Sequence, residues 1–352
     1  MRIVVHDGVG GAEVRRHEGG IETCGCVSRA AENGLHRSRV GDDLRWIKAD
    51  RSVPLDFGDD PIRRRTMSKS SPSPLAVIRD VFVGTTIETE REQRSSAIGY
   101  GLTLAKAAGA HLTVQSASWC LSGDEAWLGT FDDDGMALID RRLDDLARAV
   151  ADRAAGEAAQ AGVVCTTEAP SLPYPDVVGR LAFQARLFDL TVLDAGLGTY
   201  DLDRETIQKT LFESGRPVIA VPPEHDAFTG RRIIVAWDGS AQAARAANDA
   251  LPFLRAAHVV EIVSVAGTEA LHTSVPGAEF APHLARYGVN VTVVDVPVVG
   301  DVAETLRNQA KMFHADMMVL GAYGHSRLRE FFFGGVTRSL LRGSPAPLFL
   351  AH

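Results

Sequence analysis

The residues of this sequence best suited to chemistry are glycines at fixed intervals. Gly321 and Gly324 follow the apolar run MMVL; after nine intervening residues come Gly334 and Gly335, then Val336 and Thr337. A backbone without Cβ reaches left-handed angles and can approach a ligand closely. Successive N–H groups aimed one way form a nest for an anion. Gly334, Gly335 and Val336 fall where a helix is predicted to begin, and the unpaired N–H groups and dipole of a first turn favour phosphate. Thr337 adds a hydroxyl. One glycine pair after a strand is ordinary turn chemistry. Two pairs flanking a strand-to-helix crossover read instead as a cradle gripping a phosphate chain at both ends.

A second group belongs to the same edge. Asp238 ends an apolar run as WDGS. Its carboxylate, or the backbone beside it, can hydrogen-bond a base edge. The competing reading is that Asp238 or Ser240 caps the next helix; the two are compatible, with Ser240 as cap and Asp238 toward the ligand. Other signals are weaker. GVGGAE (8–13) lacks the last glycine of a dinucleotide fingerprint, and no G-x4-G-K-(S/T) occurs. Cys24 and Cys26 have no partner pair for zinc, and neither His314 nor His325 has a spaced ligand. His325, Arg327 and Arg329 read as solvated loop residues, and Phe331 to Phe333 as packing groups. No catalytic constellation and no metal site emerge.

The elements that must position these residues alternate strand with helix. From about residue 76 the chain reads as AVIRDVFVGTT (strand), a helix ending at Gly109, HLTVQSAS (strand), a long helix over 135–162, VVCTTEAP (strand), a helix from Tyr174, LTVLDAG (strand), a helix over 203–214 and PVIAVPP (strand). The pattern restarts with RRIIVAWDGS, one helix over 241–257, VVEIVSVAG, a shorter connection, VNVTVVDVPV, a helix opened by the capping pair Asp301 and Glu304, MMVLGAYG, the helix GVTRSLLRG and PLFLAH. Such alternation predicts βαβ units and parallel sheets covered on both faces. The expected fold is two tandem Rossmann-like domains, each a five-stranded parallel sheet flanked by helices, at 74–224 and 229–352.

The two halves form an internal repeat. ARLFDLTVLDAG aligns with AKMFHADMMVLGA, placing Asp189 on Asp316 and Leu193 on Leu320. Pro217 aligns with Pro347. RDVFVGTT aligns with RRIIVAWD, so Thr86 stands where the second half has Asp238. The first half's loop, DAGLGTYDLDRETIQ, has no second glycine pair, and Asp201, Asp203 and Glu205 there would repel phosphate.

Over residues 76–352, strongly in the second half and weakly in the first, the sequence resembles the universal stress protein family in its tandem form. Gly321, Gly324 and Gly334 match that family's G-x2-G-x9-G-(S/T) pattern. Gly335 departs from it, standing where Ser or Thr is usual. Asp238 to Ser240, VVGDVAETL and ADMMVLGAYGHS also match. The resemblance implies adenine nucleotide in the second repeat, with Asp238 and Val265 near the adenine and ribose, and Gly321, Gly324, Gly334, Gly335, Val336 and Thr337 along the phosphates. The expected ligand is ATP or a related adenine nucleotide, with or without Mg. The first repeat is expected to bind none. The family's repeats commonly pair through their last strands, which implies pairing of the two repeats within the chain and allows a homodimer.

The bulk composition bounds the reading. The chain has 352 residues, of which 45% are hydrophobic, enough for two cores. A net charge of -8 argues against a nucleic-acid-coating protein. No apolar run approaches the ~18–20 residues of a membrane span. MRIVVHDGVGG lacks the features of a signal peptide, and the four irregularly spaced cysteines fit a reducing cytoplasm. Residues 1–73, ending in a charge cluster and a Ser/Pro linker, are expected to be a disordered leader, with Met67 as an alternative start. The function expected is a cytoplasmic stress-response protein with a nucleotide-dependent regulatory output. The alternatives are a nucleotide-free interaction scaffold of the same fold and a slow ATP-hydrolysing enzyme.

Overall fold

The structure is a computed structural model that describes residues 3–5, 12–14, 35–40, 43–48, 73–88, 95–120, 133–173, 176–196, 202–266, 277–322 and 335–352. Within the leader, the described residues form two short antiparallel hairpins. β1 (Ile3–Val5) pairs with β2 (Ala12–Val14), and β3 (Leu35–Val40) with β4 (Asp43–Lys48). The second hairpin lies in a separate unit, Arg15–Ser71. Cys24, Cys26 and Met67 lie outside the described residues.

The first half runs β5 (Asp80–Ile87), α1 (Ser96–Ala108), β6 (His111–Cys120), α2 (Asp133–Ala161), β7 (Cys165–Glu168), β8 (Ser171–Pro173), α3 (Asp176–Gln184), β9 (Leu190–Asp194), α4 (Leu202–Ser214) and β10 (Val218–Val221). The second runs β11 (Arg232–Ala236), α5 (Ala241–Asp249), α6 (Leu251–Ala256), β12 (Val259–Ala266), α7 (Ala281–Arg286), β13 (Val291–Pro297), α8 (Val302–Phe313), β14 (Met317–Gly321), α9 (Gly335–Leu341) and β15 (Leu348–Ala351). These strands make one sheet in the order β13-β12-β11-β14-β15-β10-β9-β5-β6-β7, with β8 also on β6. In each half the first strand (β5 or β11) therefore lies between the second (β6 or β12) and the last but one (β9 or β14), and the last (β10 or β15) adjoins the other half. All strand pairs within a half are parallel; the pairing of β10 with β15 is antiparallel.

Why these runs become strands is visible in their burial. VIAV, the IIV of β11, MMVL and LFLA are buried throughout, as a parallel sheet covered on both faces requires. One layer of the core joins Val81, Val83 and Tyr100 to Val235, Phe253 and Phe349. The opposite layer joins Leu193 and Ile207 to Ile234, Leu306 and Leu320. Both layers thus run across the two halves. An aromatic string adds to the first: Tyr100 meets Phe228 at 5.7 Å, Phe228 meets Phe253 at 5.8 Å and Phe253 meets Phe349 at 5.6 Å. Each ring pair contributes about 0.5–1.5 kcal/mol beyond its buried area.

Local signals set the helix ends. Ser95 caps α1 and Gly109 ends it in the left-handed conformation. Asp301 caps α8 through the Glu304 N–H at 2.7 Å. The helix expected over 241–257 is two helices, α5 and α6, that meet at Ala250. Pro252 has no N–H to donate back and stands in the first turn of α6. The helix expected to end at Gly109 is described from Ser96 onward. The strand expected over 163–170 is followed by β8, and both pair with β6.

The repeat alignment has a structural signature. Asp189 Oδ2 accepts from the N–H groups of Arg79 and Asp80 at 2.7 and 3.1 Å; Asp316 Oδ2 accepts from those of Arg231 and Arg232 at 2.8 and 2.9 Å. Pro217 O accepts from Thr191 N, and Pro347 O from Met318 N. A carboxylate that ties the start of the first strand to the start of the last but one is thus used twice.

Candidate functional site

In the second half, β11 lies between β12 and β14, with Ala236 opposite Val263 and Val235 opposite Val319. Two residues on, Asp238 stands level with Val265 and Trp237 with Gly321, so Asp238, Val265 and Gly321 lie within one residue of a common level at the carboxyl edge. This is the switch point of the half, where the chain leaves its first strand for one side and returns to its fourth on the other.

Asp238 is half-buried. Its Oδ1 accepts from the Ser240 N–H at 2.9 Å across Gly239, whose φ is 75°. Ser240 Oγ accepts from the Ala243 N–H at 3.0 Å and caps α5. Ser240 is the cap anticipated from sequence, and the Asp238 carboxylate is anchored beside it. Val265 is 5% exposed and sits opposite Val296.

Gly321 has a packing role that the sequence did not reveal. A Cβ there would stand 2.3 Å from Ala243 N and 2.4 Å from Gln242 C. The first turn of α5 rests directly on the end of β14, and only glycine permits it. Gly335 differs: it is exposed at the start of α9, and a Cβ there would meet none of the described residues within 4 Å. Thr337 is buried, and Val336 packs with Leu340 and Leu341 in the core layer that also holds Leu320 and Ala322. That packing fixes α9 on the side of the sheet that Val265 faces. Gly324 and Gly334 lie outside the described residues, as do His325, Arg327, Arg329 and Phe331 to Phe333. Among the described residues nothing obstructs a hydroxyl-bearing side chain at position 335.

Two buried groups beside this edge were not singled out from sequence. Trp237 Nε1 and Ser264 Oγ have no hydrogen-bond partner among the described residues. The Trp237 ring stacks on Phe280 at 4.2 Å. The signal was available: each is a polar group inside a run that otherwise reads as a buried strand. His314, unassigned in the sequence reading, closes α8 with φ 49°.

The first half is built differently at the same edge. Thr86 takes the place of Asp238, and Asp194, one residue beyond Leu193, takes the place of Gly321. Asp194 Oδ2 accepts from Ser95 Oγ at 2.6 Å and its Oδ1 from the Ala97 N–H at 2.9 Å. Withdrawal from water pushes the Asp194 carboxyl above the usual carboxylate range against these hydrogen bonds, and Asp226 nearby adds to the rise. Among the described residues no group of three or more His, Cys, Asp or Glu is placed to hold a metal ion, and no helix is long and apolar enough to cross a membrane.

Comparison with known proteins places this geometry. Residues 230–352 match the model of the universal stress protein family. No curated protein sequence matches the chain. A universal stress protein from Archaeoglobus fulgidus DSM 4304 superposes with a TM-score of 0.58 at 14% identity, covering 77% of this chain and 95% of that one. A putative universal stress protein from Pseudomonas aeruginosa UCBPP-PA14 gives 0.48 at 15% identity, covering 79% and 94%. A universal stress protein solved in complex with cAMP gives 0.28 at 20% identity, covering 41% and 97%. The Archaeoglobus likeness extends the shared fold across both halves. Residues 230–352 are a universal stress protein domain.

Proposed function

We propose that the chain is a tandem universal stress protein whose second repeat, 229–352, binds ATP or a related adenine nucleotide, while the first, 74–224, binds none. The observation that supports this reading is the convergence of Asp238, Val265 and Gly321 to within one residue of a common level at the switch-point edge. Asp238 and the backbone near Val265 would hold the adenine and ribose. Gly321, Gly324, Gly334, Gly335, Val336 and Thr337 would line the phosphates, with the unpaired N–H groups of the first turn of α9 facing them. Mg would accompany the phosphates as a counter-charge. The output would be regulatory: a bound nucleotide changes what the protein contacts. The setting proposed is the cytoplasm, with no nucleic-acid or membrane partner, and with two tandem chains able to associate.

The test is calorimetric titration of the full chain with ATP, and with cAMP, the ligand named in one similar structure. Saturable binding at one site per chain, lost in Gly324→Asp, is the expected result. A folded protein that takes neither nucleotide would overturn the reading and leave an interaction scaffold in its place.

A further inference from the structure

The last strand of the second half brackets the residue that follows Gly321. β15 pairs with β14 as far as Ala351 opposite Gly321. Just beyond, the Ala322 N–H donates to Ala351 O at 2.9 Å. On its other side, Ala322 O lies 3.0 Å from His352 Nδ1. A carbonyl oxygen only accepts, so Nδ1 carries the proton and donates. Ala322 is buried. It is thus held through both its N–H and its C=O, next to the edge where Asp238, Val265 and Gly321 converge.

The His352 ring is held in turn from the first half. Phe212, in the last turn of α4, meets it edge to face, with centroids 4.6 Å apart and planes at 73°. The end of α4 is tied down within its own half. Arg186 Nε donates to Glu213 O at 3.0 Å, and its guanidinium lies 3.8 Å from the Glu213 carboxylate. Arg186 also stands over the Phe183 ring of α3 at 5.5 Å. A row of contacts therefore runs from α3 and α4 through Phe212 and His352 to Ala322.

The other edge is built without this grip. There the Ala195 N–H donates to Val221 O at 2.8 Å, just as Ala322 does to Ala351 O. Pro217 aligns with Pro347, so the residue that matches His352 is Pro222. Proline has no N–H and no polar ring atom, so it donates nothing to Ala195 O. The grip through His352 is one-sided, and it falls on the half that carries Asp238 and Gly321.

We propose that the first half regulates the edge of the second through Phe212. Its ring sets the orientation of His352, and His352 sets the position of Ala322, the covalent neighbour of Gly321. Both are positioning residues. The effect on nucleotide affinity rests on the reading given above; the link between the halves does not. Such coupling is reciprocal: as α4 alters the affinity for a nucleotide, a bound nucleotide alters the protection of α4.

The experiment uses the full-length chain with Phe212→Ala, His352→Ala, the double variant, and Phe212→Tyr, which keeps a ring. Without nucleotide, amide exchange at Ala322 is expected to quicken several-fold in each alanine variant. The double variant should be no faster than the quicker single one, because the two residues act in series. Phe212→Tyr should match wild type. Met318, whose N–H donates to Pro347 O at the far end of the same strand pair, is the control and should not change. With ATP, Phe212→Ala is expected to raise Kd about 2- to 10-fold, although Phe212 lies in the other half. Exchange at Ala322 that ignores Phe212→Ala, equal quickening at Met318, or additive effects of the two substitutions would overturn the link. Exchange that responds while ATP affinity does not would overturn the regulation. A wild type that takes no nucleotide, with exchange responding as stated, would sink the nucleotide reading and support the link.

Discussion

Ile219 and Phe349 are counterparts in the two repeats and lie opposite each other in the β10–β15 ladder. Each stands two residues after an aligned proline, Pro217 and Pro347. On either side the pairing is reciprocal: Val218 meets Leu350, and Ala220 meets Leu348. A local two-fold axis therefore passes through the Ile219–Phe349 pair, as in a symmetric dimer interface, although one chain supplies both strands. Both side chains are fully buried. Phe349→Ala is expected to cost about 3–5 kcal/mol and Ile219→Val about 0.5–1.5 kcal/mol. Because both core layers cross this seam, the repeats should unfold in one transition. Coincident denaturation curves by circular dichroism and tryptophan fluorescence would check it; two separated transitions would count against the shared core.

Among the described residues nothing lies within 4 Å of a Cβ at Gly335, where the family usually carries Ser or Thr. Gly335→Ser should fold without strain. If the second repeat takes a nucleotide, the added hydroxyl contributes about 0.5–1.5 kcal/mol, which is roughly a 2- to 12-fold lower Kd for ATP. Paired titrations of wild type and variant measure this directly, and equal affinities would place the hydroxyl out of reach of the phosphates.

Gly321→Ala tests the contact between β14 and α5. The new methyl would overlap backbone atoms, which cannot rotate aside as a side-chain end can. Displacement of the first turn of α5 is expected to cost about 1–3 kcal/mol. Urea denaturation gives the value, and a stability equal to wild type would show that α5 shifts freely.

Asp194 gives stability a pH dependence with a defined sign. Its carboxyl titrates above its unfolded value of about 3.9, so folding takes up a proton between the two. The Asp194 contribution to stability therefore rises as pH falls through the folded value, and the gain is complete below the unfolded one. Asp194→Asn is permanently neutral, and its Oδ1 can still accept from the Ala97 N–H. It should be more stable than wild type at neutral pH, with the difference shrinking toward pH 4. A difference that stayed constant with pH would assign no titration to Asp194.

Much of the fold was legible because parallel strands covered on both faces leave long apolar runs. RRIIVAWD and MMVL could be nothing else, and Asp301 and Gly109 marked helix ends by local chemistry. The break at Ala250 was missed because an alanine-rich helical pattern outweighed one proline. The candidate site was legible in part. Asp238 and Gly321 announce themselves by type, but the reason for Gly321 is a backbone approach between elements distant in sequence. Asp194 escaped notice as a partner of α1 for the same cause: its partners, Ser95 and Ala97, lie about a hundred residues earlier.

The antiparallel seam between β10 and β15 also changes what substitution can do. In a dimer of identical subunits each replacement appears twice, and a change that spoils one site spoils both. In a single chain the pairing partner is always present at high effective concentration, and each side of the seam can be altered alone. The exchange of Asp194 for Gly321 is such a one-sided change. It leaves one half free to specialise while the other keeps the pair assembled.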